Sequence, residues 1–245
     1  MNRVLTRELL DDLPVDDVQA IRSRRDLQRV HRAMGTRTIL LRALRDMQAL
    51  RDNATPLRVL ELGAGDGSLL LGVARELAPQ WPSVHLTLLD AQPLVPTSSI
   101  ERFAELGWTA HSAVMDVFEW AREPHGLDRH SRQEQHWDLI ITNLFLHHFE
   151  RPQLAGLLYT VAARCDRFLA CEPRRAWLAL LGSHLVGALG ANAVTRGDAV
   201  LSVNAGFCGD ELSVLWPGIG DAWRVREYSA GLFSHCFVAE PTKDL

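Results

Sequence analysis

Lysine is almost absent from this chain of 245 residues, since Lys243 is the only one and arginine carries nearly all of the positive charge. The net charge is −4 with histidine neutral, so the chain as a whole lacks the basic excess of proteins that bind nucleic acids or membrane surfaces. Hydrophobic residues make up 47% of the chain, which at this length fits one α/β domain with an appendage, or at most two small domains. We therefore expect neither a nucleic-acid nor a membrane partner.

Cysteine is scarce, and its spacing is not that of a known framework. The four cysteines have neither the close pairs of a zinc site nor the pattern of a secreted disulfide scaffold, so we expect reduced thiols and no metal site. No stretch reaches the roughly 18 apolar residues of a membrane span, and the N-terminus, MNRVLTRELLDDLP, has acidic residues where a signal peptide has an apolar core. These absences predict a soluble, cytoplasmic protein.

A glycine-rich loop follows the first apolar run of buried-strand type. The run ends at Leu62, and glycine then occupies every second position from 63 to 67. Ser68 begins a helical pattern that Pro79 ends. Glycine suits a loop that wraps a ligand because it permits positive φ and close backbone approach, and the helix N-terminus adds unpaired N–H groups. Strand, loop and helix in this order predict the first half of a nucleotide-binding unit.

The glycine spacing departs from the dinucleotide fingerprint, Gly-x-Gly-x-x-Gly. Its sixth place is Ser68, while the third glycine, Gly67, comes one residue early. Glu61 stands two residues ahead of the first glycine. The stretch therefore resembles the first motif of the class I S-adenosylmethionine-dependent methyltransferases. A glycine-rich turn that binds no ligand is the alternative interpretation.

The resemblance implies a fold and a cofactor. It predicts an α/β domain over residues 55–245, with a doubly wound, mostly parallel seven-stranded sheet whose last strand is antiparallel. An N-terminal helical cap is expected over residues 1–54. The implied cofactor is S-adenosylmethionine, and the residues expected to bind it are Glu61, Gly63, Ala64, Gly65, Gly67, Asp90, Ala91, Asp116, Val117 and Asn143.

The helical cap is rich in arginine, with nine arginines between residues 21 and 51 against Asp26 and Asp46. Such an excess suits RNA or an anionic substrate. Aromatic residues are not interleaved with these arginines, however, and arginine replaces lysine throughout the chain. The composition therefore favours a solvated helix face.

Two predicted strands end in an aspartate. Asp90 closes the run VHLTLLD, where a carboxylate can accept hydrogen bonds from both ribose hydroxyls of an adenosyl or a dinucleotide ligand. Asp116 follows a third strand within residues 108–115. The resemblance implies that Asp116 receives the adenine amino group, with Phe118 as an apolar wall. Ordinary capping or turn roles are the alternatives for both aspartates.

The run WDLIITNLFLHHF predicts the fourth strand and the residues beside the methyl group. Asn143 follows the strand and leads into a loop. Ligand and reaction residues lie beyond the carboxyl ends of parallel strands, which places His147 and His148 as candidate bases. If the chain stays extended past Asn143, the side chains of His147 and Asn143 point to the same side, which makes His147 the favoured base. The alternative is that both histidines only pack.

The rest of the chain predicts a helix over 154–165, a fifth strand over 167–172 and a hairpin of strands over 223–228 and 233–239. The apolar segment 176–190 is too short to span a bilayer, and it suits a buried helix, a lid over an apolar substrate or a dimer face. We expect the wider segment 176–220 to cover the substrate. A homodimer is consistent with this segment.

We predict a methyltransferase that transfers a methyl group to a small, fairly apolar acceptor, preferably a hydroxyl oxygen. Two other functions compete with this interpretation. A non-catalytic S-adenosylmethionine-binding or scaffold protein would use the same loop with structural histidines. A nucleotide-dependent oxidoreductase would use the glycine loop and Asp90, although the glycine spacing opposes it.

Overall fold

The computed structural model describes residues 1–48, 56–81, 83–123, 136–220 and 222–242. The predicted boundary between residues 54 and 55 lies outside the described residues, as do residues 124–135 of the polar loop expected between the third and fourth strands.

A seven-stranded sheet forms the centre of the molecule, in the order β3-β2-β1-β4-β5-β7-β6. Strands β1 to β5 are parallel, whereas β7 runs antiparallel to both β5 and β6. This arrangement confirms the predicted doubly wound sheet with an antiparallel last strand. The strands are β1 (Leu57–Leu62), β2 (Val84–Asp90), β3 (Trp108–Val114), β4 (Leu139–Asn143), β5 (Phe168–Pro173), β6 (Trp223–Ala230) and β7 (Ser234–Pro241).

Helices precede the sheet and cover both of its faces. Three of them come before β1: α1 (Leu9–Asp12), α2 (Val18–Met34) and α3 (Thr36–Gln48). The others are α4 (Ser68–Leu77), α5 (Thr97–Glu105), α6 (Val117–Arg122), α7 (Arg151–Arg164), α8 (Trp177–His184) and α9 (Ala193–Ala205), with short 3₁₀ helices at Leu146–His148, Val186–Leu189 and Ser213–Leu215. None of the described helices has both the length and the apolar character needed to cross a membrane.

Successive residues of a central strand belong to two different apolar cores. Val59 of β1 packs in the core that contains α3 and α4, whereas Leu60 packs in the core that contains α7. Ile141 and Ile140 of β4 divide in the same way. Strand side chains alternate between faces, so an uninterrupted apolar run requires a layer of helices on each side.

Strand order reverses at β1, which lies between β2 and β4. The chain passes outward from β1 to β3 and then returns to β4 on the other side. In open α/β sheets, such a reversal leaves a crevice beyond the carboxyl ends of the strands. The glycine loop, the two strand-end aspartates and the histidine pair all lie at this crevice, at one edge of the sheet.

Helices α7 and α9 differ from the sequence-based expectation. Helix α7 begins at Arg151 rather than Leu154, because Glu150 and Gln153 form a capping box and Pro152 fits the first turn. Helix α9 was not expected from its mixture of polar and small residues. Asn192 caps it by accepting the backbone N–H of Thr195 at 2.8 Å.

Candidate functional site

A cavity of about 400 Å³ opens at the carboxyl edge of the sheet. All of the residues predicted to bind a cofactor line it except Gly67, and both His147 and His148 line it as well. The lining also contains residues from α1 and α2 that the sequence did not associate with the site. The structure therefore brings the predicted cofactor residues and the histidine pair into one space.

The glycine loop has a conformation that favours glycine at all three positions. Gly63, Gly65 and Gly67 have φ values of 70°, 56° and 71°. A Cβ on Gly63 would lie 2.3 Å from Cδ2 of Phe145, so the loop passes directly against the chain that follows β4. Gly67 faces Leu88 of the core and is the N-cap residue of α4, which explains why it does not line the cavity. Its function is to form the turn.

Asp90 joins the glycine loop to the end of β2. Its carboxylate accepts the backbone N–H of Gly65 at 2.8 Å and that of Gln92 at 2.9 Å. Burial raises the pKa of Asp90, and these two hydrogen bonds oppose that effect. The carboxylate is thus held at the cavity wall by backbone donors.

Glu61 is a buried carboxyl at the cavity wall with an oxygen that lacks a protein partner. The residue is 4% exposed, and its Oε2 has no hydrogen-bond partner among the described residues. Burial raises the pKa of Glu61 to about 8, and the nearby charges of Asp66 and Asp90 add to the effect. A buried acceptor of this kind suits a cationic ligand group, because such a group would satisfy the oxygen and favour its charged form.

Two more polar side chains meet the cavity at the ends of β3 and β4. Asn143 is buried, and its Oδ1 has no partner within the described chain. Asp116 caps α6 by accepting the backbone N–H of Phe118 at 2.7 Å. Phe118 itself does not line the cavity and packs against Phe149, with ring centroids 5.1 Å apart. The apolar wall beside Asp116 is therefore Val117 rather than Phe118.

The chain does not stay extended after β4. Leu144 has a φ of 49°, which is uncommon for a residue other than glycine, and a 3₁₀ turn then covers Leu146–His148. The condition under which His147 would share the side of Asn143 is therefore not met. Glu172, at the end of β5, accepts the backbone N–H groups of Phe145 and Leu146 and so caps this turn.

His147 is enclosed between two carboxylates. Its Nδ1 lies 2.8 Å from Oε2 of Glu172, and its Nε2 lies 3.2 Å from Oε1 of Glu8. Burial lowers the pKa of His147, but the hydrogen bonds and charges of Glu172 and Glu8 outweigh burial and raise it to about 9. With both ring nitrogens engaged, His147 is not arranged to accept a proton from a substrate at neutral pH.

His148 is the more accessible member of the pair. Its side chain is 23% exposed, and its Nδ1 lies 3.1 Å from Oδ2 of Asp11. The rings of His147 and His148 have centroids 4.2 Å apart. A carboxylate beside one ring nitrogen orients an imidazole and leaves the other nitrogen for chemistry.

Part of the segment 8–11 forms one wall of the cavity, which sequence reasoning missed. Glu8, Leu10 and Asp11 line it. The segment is fixed by Asp198 of α9, whose carboxylate accepts the backbone N–H groups of Leu9 and Leu10, and by Arg3, which donates to the carbonyl oxygens of His147 and Phe149. No local pattern predicts these contacts, because their partners lie more than a hundred residues away along the chain.

Helix α2 closes the cavity over the glycine loop. Gln28 donates to Asp66 at 2.8 Å, and Arg24 donates to Gln92 at 3.1 Å. His31 also lines the cavity, and burial lowers its pKa to about 4 despite the opposing charge of Asp66. Arg24 of the arginine-rich cap thus faces the site rather than open solvent.

Comparison with known proteins shows similarity in structure only. No family model and no curated protein matches this sequence. The plantazolicin methyltransferase BamL, solved with SAH and a triazolic desmethylPZN analog, aligns with a TM-score of 0.61 at 13% identity over 94% of this chain and 92% of that one. BpumL, a plantazolicin methyltransferase solved with SAH and a monoazolic analog, aligns with a TM-score of 0.59 at 15% identity over 89% of this chain and 90% of that chain. An O-methyltransferase family protein from Burkholderia thailandensis aligns with a TM-score of 0.50 at 16% identity, over 85% of this chain and 59% of that one.

This chain has the class I methyltransferase fold. The sheet order and the position of the glycine loop after β1 agree with that assignment.

Within this methyltransferase fold, the apolar segment 176–190 lies away from the cavity. None of its residues lines the cavity, and from the wider segment 176–220 only Ser202 does so. Trp177 of α8 is 68% exposed. Residues of α1 and α2 line the cavity, and the expected covering role of 176–220 stays a prediction. That segment 176–190 forms a dimer face stays a prediction.

Proposed function

We propose that this chain is an S-adenosylmethionine-dependent methyltransferase that transfers a methyl group to a hydroxyl oxygen of a small, fairly apolar acceptor. One observation carries the proposal. The residues expected from the methyltransferase resemblance come from four different strand ends, and all except Gly67 meet at a single cavity with two buried oxygens, Glu61 Oε2 and Asn143 Oδ1, that lack partners among the described residues. Buried polar atoms in proteins are rarely left unpaired, so these oxygens fit ligand donors.

The residues present fit the cofactor. Glu61 would accept the ammonium group of its amino-acid tail, and the backbone from Gly63 to Gly65 would pass against that tail. Asp90 would accept the ribose hydroxyls, since its position at the end of β2 suits an adenosyl ligand. Asp116 would accept the adenine amino group, with Val117 against the ring. A Cβ on Gly65 would have no neighbour within 4 Å, so the space beside this glycine is free for a ligand.

S-adenosylmethionine supplies a methyl group on a positively charged sulfur when bound. The task of the protein is to align that group with the acceptor and to exclude water. Orientation of this kind supplies on the order of 7–11 kcal/mol in well-aligned systems. Leu10, Leu144, Phe145 and Phe149 give the cavity its apolar walls, which suit a small apolar acceptor.

Methyl transfer to a hydroxyl oxygen requires a base that accepts the hydroxyl proton. His148 lines the cavity beside Asp11, whereas His147 is engaged at both nitrogens. We therefore assign proton removal to the His148 and Asp11 pair and give His147 a positioning role. General-base help of this type is typically worth about 10²–10⁴ in rate.

The structural neighbours support the choice of cofactor. BamL and BpumL were both solved with SAH, the product that remains when S-adenosylmethionine gives up its methyl group. Both alignments cover about nine-tenths or more of each chain, so the similarity extends over the whole α/β domain.

The test is incubation of the purified chain with isotopically labelled S-adenosylmethionine and a panel of small hydroxylated and amine-bearing compounds, followed by mass spectrometry. The expected result is one labelled methyl group on a hydroxyl-bearing compound and release of SAH. Tight cofactor binding without transfer to any compound would favour a binding or scaffold role, and binding of NAD in place of S-adenosylmethionine would favour an oxidoreductase.

A further inference from the structure

We propose that Glu8, His147 and His148 form a binding site for a divalent transition-metal cation at the wall of the cavity. One ligand atom from each of these residues lies within 4.8 Å of the other two. Nε2 of His147 and Oε1 of Glu8 are 3.2 Å apart, a separation that two ligands of one cation can have at metal–ligand distances of about 2.0–2.2 Å. The three side chains come from two distant parts of the chain and converge on one point.

Each candidate ligand is held by a partner of its own. Nδ1 of His147 contacts Glu172, Nδ1 of His148 contacts Asp11, and Glu8 accepts a hydrogen bond from Ser202. Metal-binding histidines usually have a carboxylate or carbonyl on the second ring nitrogen, which fixes the ring and increases its basicity. Glu172 is fully buried and accepts hydrogen bonds from backbone N–H groups, so its contact with His147 is held rigidly.

The donor set indicates the class of cation. Two imidazoles and one carboxylate suit Zn²⁺, Co²⁺, Ni²⁺ or Fe²⁺, whereas Mg²⁺ and Ca²⁺ prefer sites made of oxygen atoms. All three side chains line the cavity, so a ligand in the cavity would be able to complete the coordination of the cation. Three protein ligands with an open position are the arrangement of catalytic rather than structural metal sites.

A proton on His147 also balances the two carboxylates around it, and this is the competing state of the site. A metal cation would take the place of that proton on Nε2 while leaving the contact between Nδ1 and Glu172 intact. Binding should therefore release protons. The sequence predicted no metal, because Glu8 is 139 positions from His147 and no short motif joins them.

The site has a consequence for methyl transfer that rests on the proposed function, although cation binding itself does not. A hydroxyl oxygen of the acceptor in the open position would lose its proton more readily, since a bound cation lowers the pKa of such a group. In that case His148 is a ligand, and Asp11 is the carboxylate left to receive the proton.

The experiment uses the full chain, stripped with a chelator and titrated with Co²⁺ by calorimetry and absorption spectroscopy. The expected result is one ion per chain, with an observed binding enthalpy that differs between two buffers of different ionisation enthalpy because binding releases protons. Asp11→Asn, which alters an outer contact, should weaken binding by about 10–100-fold, and Glu8→Gln or His148→Ala should weaken it further. A sulfur-to-cobalt charge-transfer band is not expected.

Two controls separate this site from adventitious binding. Cys208→Ser tests a partly accessible thiol, and His184→Ala tests a histidine of α8, so both variants should bind Co²⁺ like the wild type. Circular dichroism and SAH titration of every stripped variant establish that the fold and the cofactor site are intact. The proposal is overturned if the wild type binds no stoichiometric ion, or if folded Glu8→Gln and His148→Ala both bind as tightly as the wild type. SAH affinity is measured separately, so failure of the metal site leaves the proposed function standing.

Discussion

His147 and Glu172 form a buried pair that joins the ends of β4 and β5. Nδ1 of the histidine lies 2.8 Å from Oε2 of the glutamate, and their side chains are 2% and 0% exposed. Glu172 also accepts backbone N–H groups from Phe145 and Leu146. This pair fixes the turn that places His148 beside the cavity.

The two adjacent histidines should therefore differ in their effect on stability. His147→Ala should lower the free energy of unfolding by about 3–5 kcal/mol, because it removes one partner from a buried charged pair. His148→Ala should cost less than about 1 kcal/mol, since its contact with Asp11 is partly exposed. Urea denaturation of both variants in the presence of chelator measures the difference, and equal losses would mean that the Glu172 contact does not fix the turn.

His148→Ala, the variant with the smaller expected loss of stability, should have a large effect on turnover. His148→Ala should reduce turnover by about 10²–10⁴ with little loss of stability, because His148 either accepts the acceptor's proton or, when the cation is bound, is one of its ligands. Cofactor affinity should be nearly unchanged. Single-turnover methylation assays and SAH calorimetry measure the two effects, and full turnover in His148→Ala would remove this residue from the mechanism.

Glu61 should make the stability of the ligand-free protein depend on pH. Its folded pKa of about 8 lies above the ordinary value of 4.5, so the folded state binds more protons than the unfolded state between these values. The contribution of Glu61 to the free energy of unfolding is therefore highest below pH 4.5. It falls as the pH rises towards 8, by at most about 1.4 kcal/mol per pH unit. Glu61→Gln should remove this slope. Denaturation of both proteins across this range gives the difference curve, and parallel curves would contradict the assignment.

Local patterns predicted the individual strands and the glycine loop, whereas the seven-stranded sheet with its antiparallel last strand was implied by the family resemblance. The buried run ending at Leu62 needs a helix layer on each face, and three glycines at alternate positions exclude a regular strand or helix, so strand, loop and helix follow from residues within one short stretch. The aspartate at the end of β2 is positioned by the same logic. Most of the cofactor residues that the resemblance implied line the cavity.

The side of the cavity formed by the N-terminal segment and the histidine turn could not be predicted in this way. Glu8 meets His147 only through the tertiary fold, and α1 is too short for a helical pattern to indicate it. Leu144 adopts positive φ without being glycine or asparagine, so nothing in its identity indicated the turn that redirects the histidines. The sequence identified Glu172 only as a polar residue at the end of a strand and did not predict its contact with His147.

The most direct test of the account is calorimetric titration of S-adenosylmethionine into the wild type, Gly65→Leu and Gly107→Leu. Both glycines have positive φ, and at both a Cβ would have no neighbouring atom within 4 Å. Both variants therefore incur a similar backbone cost, of about 1–2 kcal/mol, but only Gly65 lines the cavity. We expect one equivalent to bind to the wild type and to Gly107→Leu, and no measurable binding to Gly65→Leu. Undiminished affinity in a folded Gly65→Leu variant, or binding of NAD instead of S-adenosylmethionine by the wild type, would contradict the proposed function.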